Sequence, residues 1–342
     1  MNKTFSILFL KYTHLIRHKR CIAMTTLLLM ILSIGLSAAP DTWAGEGGGS
    51  HYMPGTRGDF AMALIGPKGW YLRNELVYLE GDIGPMTMGK GVYLDAEQKV
   101  WLNTEKAVYL ADSGILGARF GAVLSIPLVI DASLSGDVAG PVPIKREGSK
   151  TGFADSNVTG ILNWKQDNFN YNAGFTLFAP TGSYDADRMI NLGRNYWTLN
   201  PFFAFTWLHP KRGHEVSFTA GYMTNTENHD TDYQSGDEFH FDFHLAQHFS
   251  SKFAIGLDGY YYKQISKDKG PFLDQANAFL TSLGKDSLGT FKGETFGLGP
   301  ALKYTFKLGE RDINIIAKWL HDLDTTNRFE TDTTMCAVAF KF

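Results

Sequence analysis

Long stretches in which apolar and polar side chains strictly take turns limit what this chain can fold into. From Phe169 to Ala179 the odd positions are Phe, Tyr, Ala, Phe, Leu and Ala, while the even positions from Asn168 to Phe178 are Asn, Asn, Asn, Gly, Thr and Phe. Phe239, Phe241, Phe243 and Leu245 alternate with His240, Asp242, His244 and Ala246. Phe253–Tyr261 and Phe296–Phe306 repeat the pattern. Successive side chains of a strand point to opposite faces, so each segment has one apolar face and one polar or small-residue face. A soluble β-sandwich also alternates. The segments here, however, run about 10–15 residues, a length that suits a tilted membrane strand rather than the five or six usual in soluble sheets. Their apolar faces also tend to begin or end in Trp, Tyr or Phe, as interfacial girdles do.

Loop lengths test this independently. Strands are expected near 70–82, 99–111, 117–130, 151–165, 169–180, 195–208, 213–224, 236–249, 251–263, 293–307, 310–320 and 333–342. In the second, Asn103-Thr-Glu-Lys106 interrupts the alternation, as a bulge would. The connections then alternate between short (Asp112–Leu116, Gln166–Asn168, His209–Arg212, Ser250, Leu308–Gly309) and long (Asp131–Lys150, Thr181–Arg194, Gln264–Lys292). Short periplasmic turns, longer extracellular loops and an even strand count describe an outer-membrane barrel. The fold class expected is all-β, a transmembrane barrel of about 12 antiparallel strands over residues 69–342. The chain ends on Cys336, Val338, Phe340 and Phe342 in alternation. This resembles the terminal strand signal that barrel-insertion machinery reads in bacterial outer-membrane proteins.

Residues 1–20 hold five bases and no acid, an apolar run from Cys21 to Leu36 follows, and Ser37-Ala38-Ala39 closes it. That order predicts a secretory signal peptide over residues 1–44, cleaved after Ala39 or Ala44, and localisation to the bacterial outer membrane. An N-terminal membrane anchor is the competing reading, although the run is short of the roughly 20 residues a spanning helix needs. With Cys21 in that segment, Cys336 would have no disulfide partner. Removing residues 1–44 leaves 27 bases against 34 acids. That balance excludes the basic field of a nucleic-acid binder.

With the apolar face toward lipid, the inward set comprises Arg73, Glu75, Arg119, Lys165, Glu215, His240, Asp242, His244, Lys252, Asp258, Lys303 and Lys318. Both signs occur, which argues against a strongly ion-selective pore. Tyr260, Tyr262, Phe178 and Phe202 share the inward parity, and would either offer aromatic surface to a solute or fill a narrow barrel. His240 and His244 lie about 13 Å apart along a strand, too far to share a metal without further ligands. His229, Asp230 and Asp232 are a weak candidate for Ca²⁺. No GxSxG, HExxH or CxxC occurs, and Gly84–Lys90 lacks the hydroxyl residue of a phosphate loop. No enzymatic activity, cofactor or resident metal is expected.

The segment 45–68 joins a flexible Gly47-Gly48-Gly49 to Tyr52, Met53, Pro54, Phe60, Met62, Leu64 and Ile65, too apolar for a solvated tail. It must bury those groups, as a lumenal plug, an extra strand or periplasmic packing. In the loops, Asp185, Arg188, Asn191, Arg194, Asn195 and Tyr196 are expected to form an ordered network at the mouth. Turn geometry alone would equally explain Gly182, Gly193 and Asp185. Arg188 and Arg194 could also contact anionic lipopolysaccharide.

Ala179-Pro-Thr-Gly-Ser-Tyr-Asp185, Asn191-Leu-Gly-Arg-Asn-Tyr-Trp197, Tyr222-Met-Thr-Asn-Thr-Glu-Asn228, Asp232–His240, Gly259–Gln264 and Gly297-Leu-Gly-Pro300 occur in that order. With Gly45–Tyr52 and Pro54-Gly55, these stretches resemble the outer-membrane family named for the meta-pathway of phenol degradation, over nearly the whole mature chain. The resemblance implies uptake of hydrophobic or aromatic small molecules. A general diffusion porin, and a structural or adhesive barrel without transport, are the alternatives. The family is similar in style to the long-chain fatty-acid transporter barrels, whose N-terminal plug makes Gly45–Lys68 a candidate hatch here.

Overall fold

The structure, a computed structural model, describes residues 49–84, 86–88, 91–112, 116–138, 144–270, 278–279, 281–282 and 292–342. The signal peptide expected over residues 1–44, and residues 45–48, lie outside them. The described residues form fourteen strands: β1 (Gly69–Ile83), β2 (Met86–Met88), β3 (Gly91–Leu110), β4 (Arg119–Val138), β5 (Ile144–Phe153), β6 (Asn157–Gln166), β7 (Phe169–Phe178), β8 (Thr198–Leu208), β9 (His214–Asn225), β10 (Glu238–His248), β11 (Phe253–Gln264), β12 (Glu294–Leu308), β13 (Arg311–Thr326) and β14 (Glu330–Lys341). Twelve of them close an antiparallel barrel in the order β1, β3, β4, β6 and on through β14, which returns to β1. Closure leaves no unpaired sheet edge in lipid, where an unsatisfied backbone group would be costly. The last amide is used too: Phe342 N donates to Trp70 O at 3.1 Å, tying the chain end to the start of β1.

The twelve barrel strands are the twelve segments expected, and the two additions extend them beyond the rim. β2 pairs with the start of β3. β5 pairs with the far half of β4, from Leu128 to Val138. The stretch expected as one strand over 151–165 is therefore broken at Ala154-Asp155-Ser156, and much of the expected loop 131–150 is sheet. Alternation could not place this break, because it serves a single side chain, Asp155, whose bonding partners lie far away in sequence.

On β8–β11 the faces sort as expected. Phe203, Phe205, Phe218, Phe241 and Phe243 form an outward aromatic belt with neighbouring ring centroids 5.2 to 6.3 Å apart. On β4, Leu124, Ile126, Leu128 and Ile130 are all exposed on the outer surface. On β1 and β3 the sorting departs from expectation. Val77 and Leu79 face inward and are buried, with Leu102 and Val100 as their register partners. Meanwhile Asn74, Asn103 and Glu105 face outward. The bulge is displaced too. β1 and β3 pair without interruption from Gly69 to Ile83, and the register shifts lie between Tyr93 and Ala96 and between Trp101 and Leu102, both against β4.

Outward Glu105 sits midway between two aromatic pairs, Trp70–Tyr109 toward the short-turn rim and Tyr78–Trp101 toward the long-loop rim. Asn74 Nδ2 donates to its carboxylate at 2.6 Å and to Asn103 Oδ1 at 3.0 Å. The cluster satisfies its own polar groups but still presents them to hydrocarbon. Glu105→Leu is therefore expected to stabilise the barrel by on the order of 1 kcal/mol, and Asn74→Leu, which strips the carboxylate of its donor, to destabilise it. Urea unfolding followed by the mobility of unboiled samples on gels measures both. Equal effects of one sign would contradict a lipid-facing Glu105.

Candidate functional site: the filled lumen and the cavity beside it

The inward faces of β8–β13 are held by residues 50–66 of the N-terminal segment, which hydrogen-bond to them step by step. His51 bridges Thr198 Oγ1 (2.7 Å) and Asp155 Oδ2 (2.9 Å) and stacks on Phe178. Tyr52 donates its hydroxyl to Asp242 Oδ2 at 2.7 Å and stacks on His240 at 4.2 Å. The Gly58 amide donates to the other Asp242 oxygen at 3.1 Å. Lys318 Nζ donates to Gly55 O at 2.7 Å and to Gly58 O, and lies 3.4 Å from Asp258 Oδ2. Asp258 in turn binds His244 Nδ1. The Ala61 amide donates to Glu215, and the Ala63 amide to Thr206 Oγ1 at 2.9 Å. At the short-turn rim, Arg119 Nη2 donates to Gly66 O at 2.9 Å. Phe60 packs into Val77, Ala254, Ala301, Ile316, Met335 and Ala337. An irregular backbone at this depth needs such cover, since every amide must find a partner in protein. Gly55, at φ +77°, lies so close to Leu320 and Tyr260 that a Cβ would collide with both.

Of the residues expected to line the lumen, Glu215, His240, Asp242, His244, Asp258, Tyr260, Tyr262 and Lys318 are buried. Most of them meet the N-terminal segment or one another rather than open solvent. Tyr260 donates to Asp322 Oδ1 at 2.6 Å, and the Tyr262 ring carries Arg328 at 4.0 Å. Arg73 and Glu75 face inward on β1, bonded at 2.6 Å. Lys303 faces inward by register between Ala254 and Ile316 and makes no bond to the segment. Lys165 and Lys252 lie exposed near the short-turn rim. His240 and His244 have separate partners, Asn200 with Asp242 and Asp258 respectively. No group of three metal-ligating side chains is assembled among the described residues.

On the other side of the lumen the segment leaves a cavity of about 770 Å³. Its wall on β1, β3 and β4 is aliphatic, including Val77, Leu79, Val100, Leu102 and Val129. Its floor, toward the short-turn rim, is charged. Asp59 Oδ2 binds Arg73 Nη2 at 2.6 Å, and Glu75 lies between Arg73 and Lys106 at 2.6 Å from each. Arg57 reaches across to β7 and β8, where Nη2 donates to Thr176 Oγ1 at 3.0 Å and the guanidinium lies 5.0 Å from the Phe202 ring centroid. Arg57, Asp59 and Asp155 are not among the residues expected from the sequence, and Lys106 enters there only in the expected bulge. Three of them carried a signal, being charges set in apolar or interrupted stretches.

The β7–β8 and β9–β10 loops are tied to one another and to Asp155. Asp155 accepts the amides of Gly182 (2.8 Å) and Arg194 (2.6 Å) as well as His51. Gly182 and Gly193 touch backbone to backbone, so a Cβ on either would come within 2.8 Å of the other. Asp185 pairs with Arg188 at 3.2 Å, and Asn191 bonds the Asp185 amide and carbonyl at 2.9 and 3.0 Å. Asn195 Nδ2 donates to Asn228 Oδ1 at 2.8 Å, and Ser235 Oγ to Tyr196 OH at 3.4 Å. Asp185, Arg188 and Asn191 thus form one knot, Asn195 and Tyr196 tie to the β9–β10 loop, and the Arg194 amide is held by Asp155.

That β9–β10 loop is fastened in turn by Asp268, which accepts the Gly236 amide at 2.6 Å, Tyr233 OH and Gln264 Nε2. Burial pushes the Asp268 carboxyl up to about 7, with nearby Glu238 adding to the rise and the three donors opposing it. A carboxyl that keeps its proton in the folded loop but not when released stabilises the clasp fully below its ordinary value of 3.8, and this contribution is lost as pH rises through about 7. Hydrogen exchange at the Gly236 amide is therefore expected to quicken between pH 4 and pH 7 beyond the intrinsic base-catalysed increase, and Asp268→Asn is expected to abolish that excess. An excess unchanged in the variant would assign it to another group.

Fold and site together define the class: an outer-membrane-type β-barrel whose lumen is shared between its own N-terminal segment and a cavity. Residues 85–337 match the model of the MetA-pathway of phenol degradation family, and the chain belongs to that family. An outer membrane channel from Pseudomonas putida F1 has a similar fold, at TM-score 0.62 and 12% identity over 83% of this chain and 99% of that one. A FadL homologue from Pseudomonas aeruginosa matches at TM-score 0.39 and 10% identity over 89% and 98%. The translocator domain of the autotransporter NalP from Neisseria meningitidis matches at 0.41 and 9% over 81% and 90%. No curated protein matches the chain.

Proposed function

We propose that this protein is a plugged outer-membrane channel for passive uptake of hydrophobic or aromatic small molecules. The reading rests on the aliphatic cavity inside the barrel. A pore for sugars or ions gains nothing from a wall of Val and Leu, whereas an apolar solute gains roughly 25 cal/mol for each Å² it removes from water there. A cavity of about 770 Å³ is within the range that encloses a small molecule. Phe178 and Phe202, also on its lining, offer ring faces to an aromatic solute. The N-terminal segment is the plug: it holds the opposite side of the lumen and must shift or share space for a solute to pass. A general diffusion porin is disfavoured by the same filling. The surroundings this role requires are outer-membrane lipid, lipopolysaccharide at the Arg188 side of the loops, and insertion machinery reading the strand that ends at Phe342.

The test is uptake of labelled phenol, alkane and glucose in cells with and without the gene. Faster entry of phenol and alkane with glucose unchanged supports the reading. Equal gains for all three indicate a general porin, and no gain for any removes transport altogether.

A further inference from the structure

The cavity joins an aliphatic wall to a charged floor whose charges do not balance, and Asp155, Arg194, Asp322 and Arg328 also reach its lining. The aliphatic rows Val77–Leu102–Val129 and Leu79–Val100 line the part nearer the long loops. The floor presents three cations, Arg57, Arg73 and Lys106, against two carboxylates, Asp59 and Glu75. Both carboxylates are committed: Asp59 to Arg73, and Glu75 to Arg73 and Lys106. Arg57 is the cation left over. Its guanidinium has a neutral hydroxyl, Thr176, and a ring face, Phe202, as its partners. Asp242 attracts it through space, but that carboxylate lies behind the segment with its oxygens occupied by Tyr52 OH and the Gly58 amide. A guanidinium has five N–H donors in a planar fork suited to a carboxylate. Thr176 takes one of those on Arg57, and Arg57 is on the cavity lining.

Building on the proposed function, we infer that the preferred solute is an apolar molecule carrying a single carboxylate at one end, with its tail on the β1–β3–β4 wall and its head on Arg57. A neutral solute of equal length would gain the same wall contact but leave the excess positive charge uncompensated. A dianion would meet Asp59 and Glu75. The head-group attraction acts in a low-dielectric lumen, where a charge-assisted hydrogen bond is about twice as strong as a neutral one.

Octanoate and octanol are the matched probes, titrated calorimetrically into the full mature chain in lipid nanodiscs, with empty nanodiscs subtracted. Octanoate is expected to bind about tenfold more tightly than octanol. Arg57→Gln should bring that ratio close to one by weakening octanoate far more than octanol, and Arg57→Lys should preserve most of it. Retained heat-modifiable gel mobility shows that each variant is folded. If Arg57→Gln does not fold, the wild-type ratio and Arg57→Lys still decide. Equal binding of the two probes to the wild-type protein, or equal weakening of both by Arg57→Gln, overturns the head-group assignment and leaves the channel reading standing. Absence of binding by either probe, together with unchanged uptake in cells, overturns both.

Discussion

Deleting residues 45–66 is expected to raise single-channel conductance in planar bilayers several-fold, without loss of the barrel. The twelve barrel strands begin at Gly69 and make their ladders with one another, so none of their backbone pairing depends on the deleted stretch. What the deletion removes is the group of residues that occupies the lumen against β8–β13. It exposes Glu215, His240, Asp242, His244, Asp258 and Lys318, all at 4% exposure or less in the intact protein. These side chains are paired through the segment now, and in its absence water would solvate them. A wetted, charged lumen conducts ions where a filled one does not. Unchanged conductance in a folded deletion variant would mean that the segment is no plug.

Lys318→Met is expected to loosen the segment more than any other single change. The ammonium, 4% exposed, bonds two carbonyls of the segment, Gly55 O and Gly58 O, and neighbours Asp258 on the barrel wall. Methionine fills similar volume but leaves two buried carbonyls without donors, and Asp258 with His244 as its remaining partner. Removing one member of a buried ion pair costs about 3–5 kcal/mol. Because the barrel ladder is untouched, that cost falls on the docking of the segment. Local opening should become roughly a hundredfold or more easier. Hydrogen exchange at the amides of Gly58, Ala61 and Ala63, each bonded to a wall side chain, reads this directly. Adding Asp258→Asn removes the stranded charge and should restore part of the protection. Protection unchanged in Lys318→Met would show that the segment is held elsewhere.

Much of the architecture was legible in the sequence because a strand in lipid has little freedom. Its side chains alternate, its length must cross the hydrocarbon, and its connections differ between the two rims. Those constraints are local, so Phe169–Phe178 or Phe253–Gln264 could be read residue by residue. The inward placement of His240, Asp242 and His244 followed from parity alone. On β1 parity placed Arg73 and Glu75 inward, but on β1 and β3 the two faces are not sorted by polarity. There the inward face carries Val77, Leu79, Val100 and Leu102, while Asn74, Asn103 and Glu105 form their own cluster on the outside. Alternation cannot say which face is inner when both carry apolar and polar residues.

The sequence by itself determined the closed barrel, its strand number, the inward face of β8–β11 and the need of Tyr52 and Phe60 for cover. It did not determine which partner each inward group meets. Lys318 with Gly55, Glu215 with Ala61, His51 with Asp155 and Arg57 with Thr176 join positions 100 to more than 260 residues apart. Those pairings arise only once the wall has closed around the segment, because the low dielectric inside makes each buried charge seek whatever donor or acceptor the tertiary path brings near.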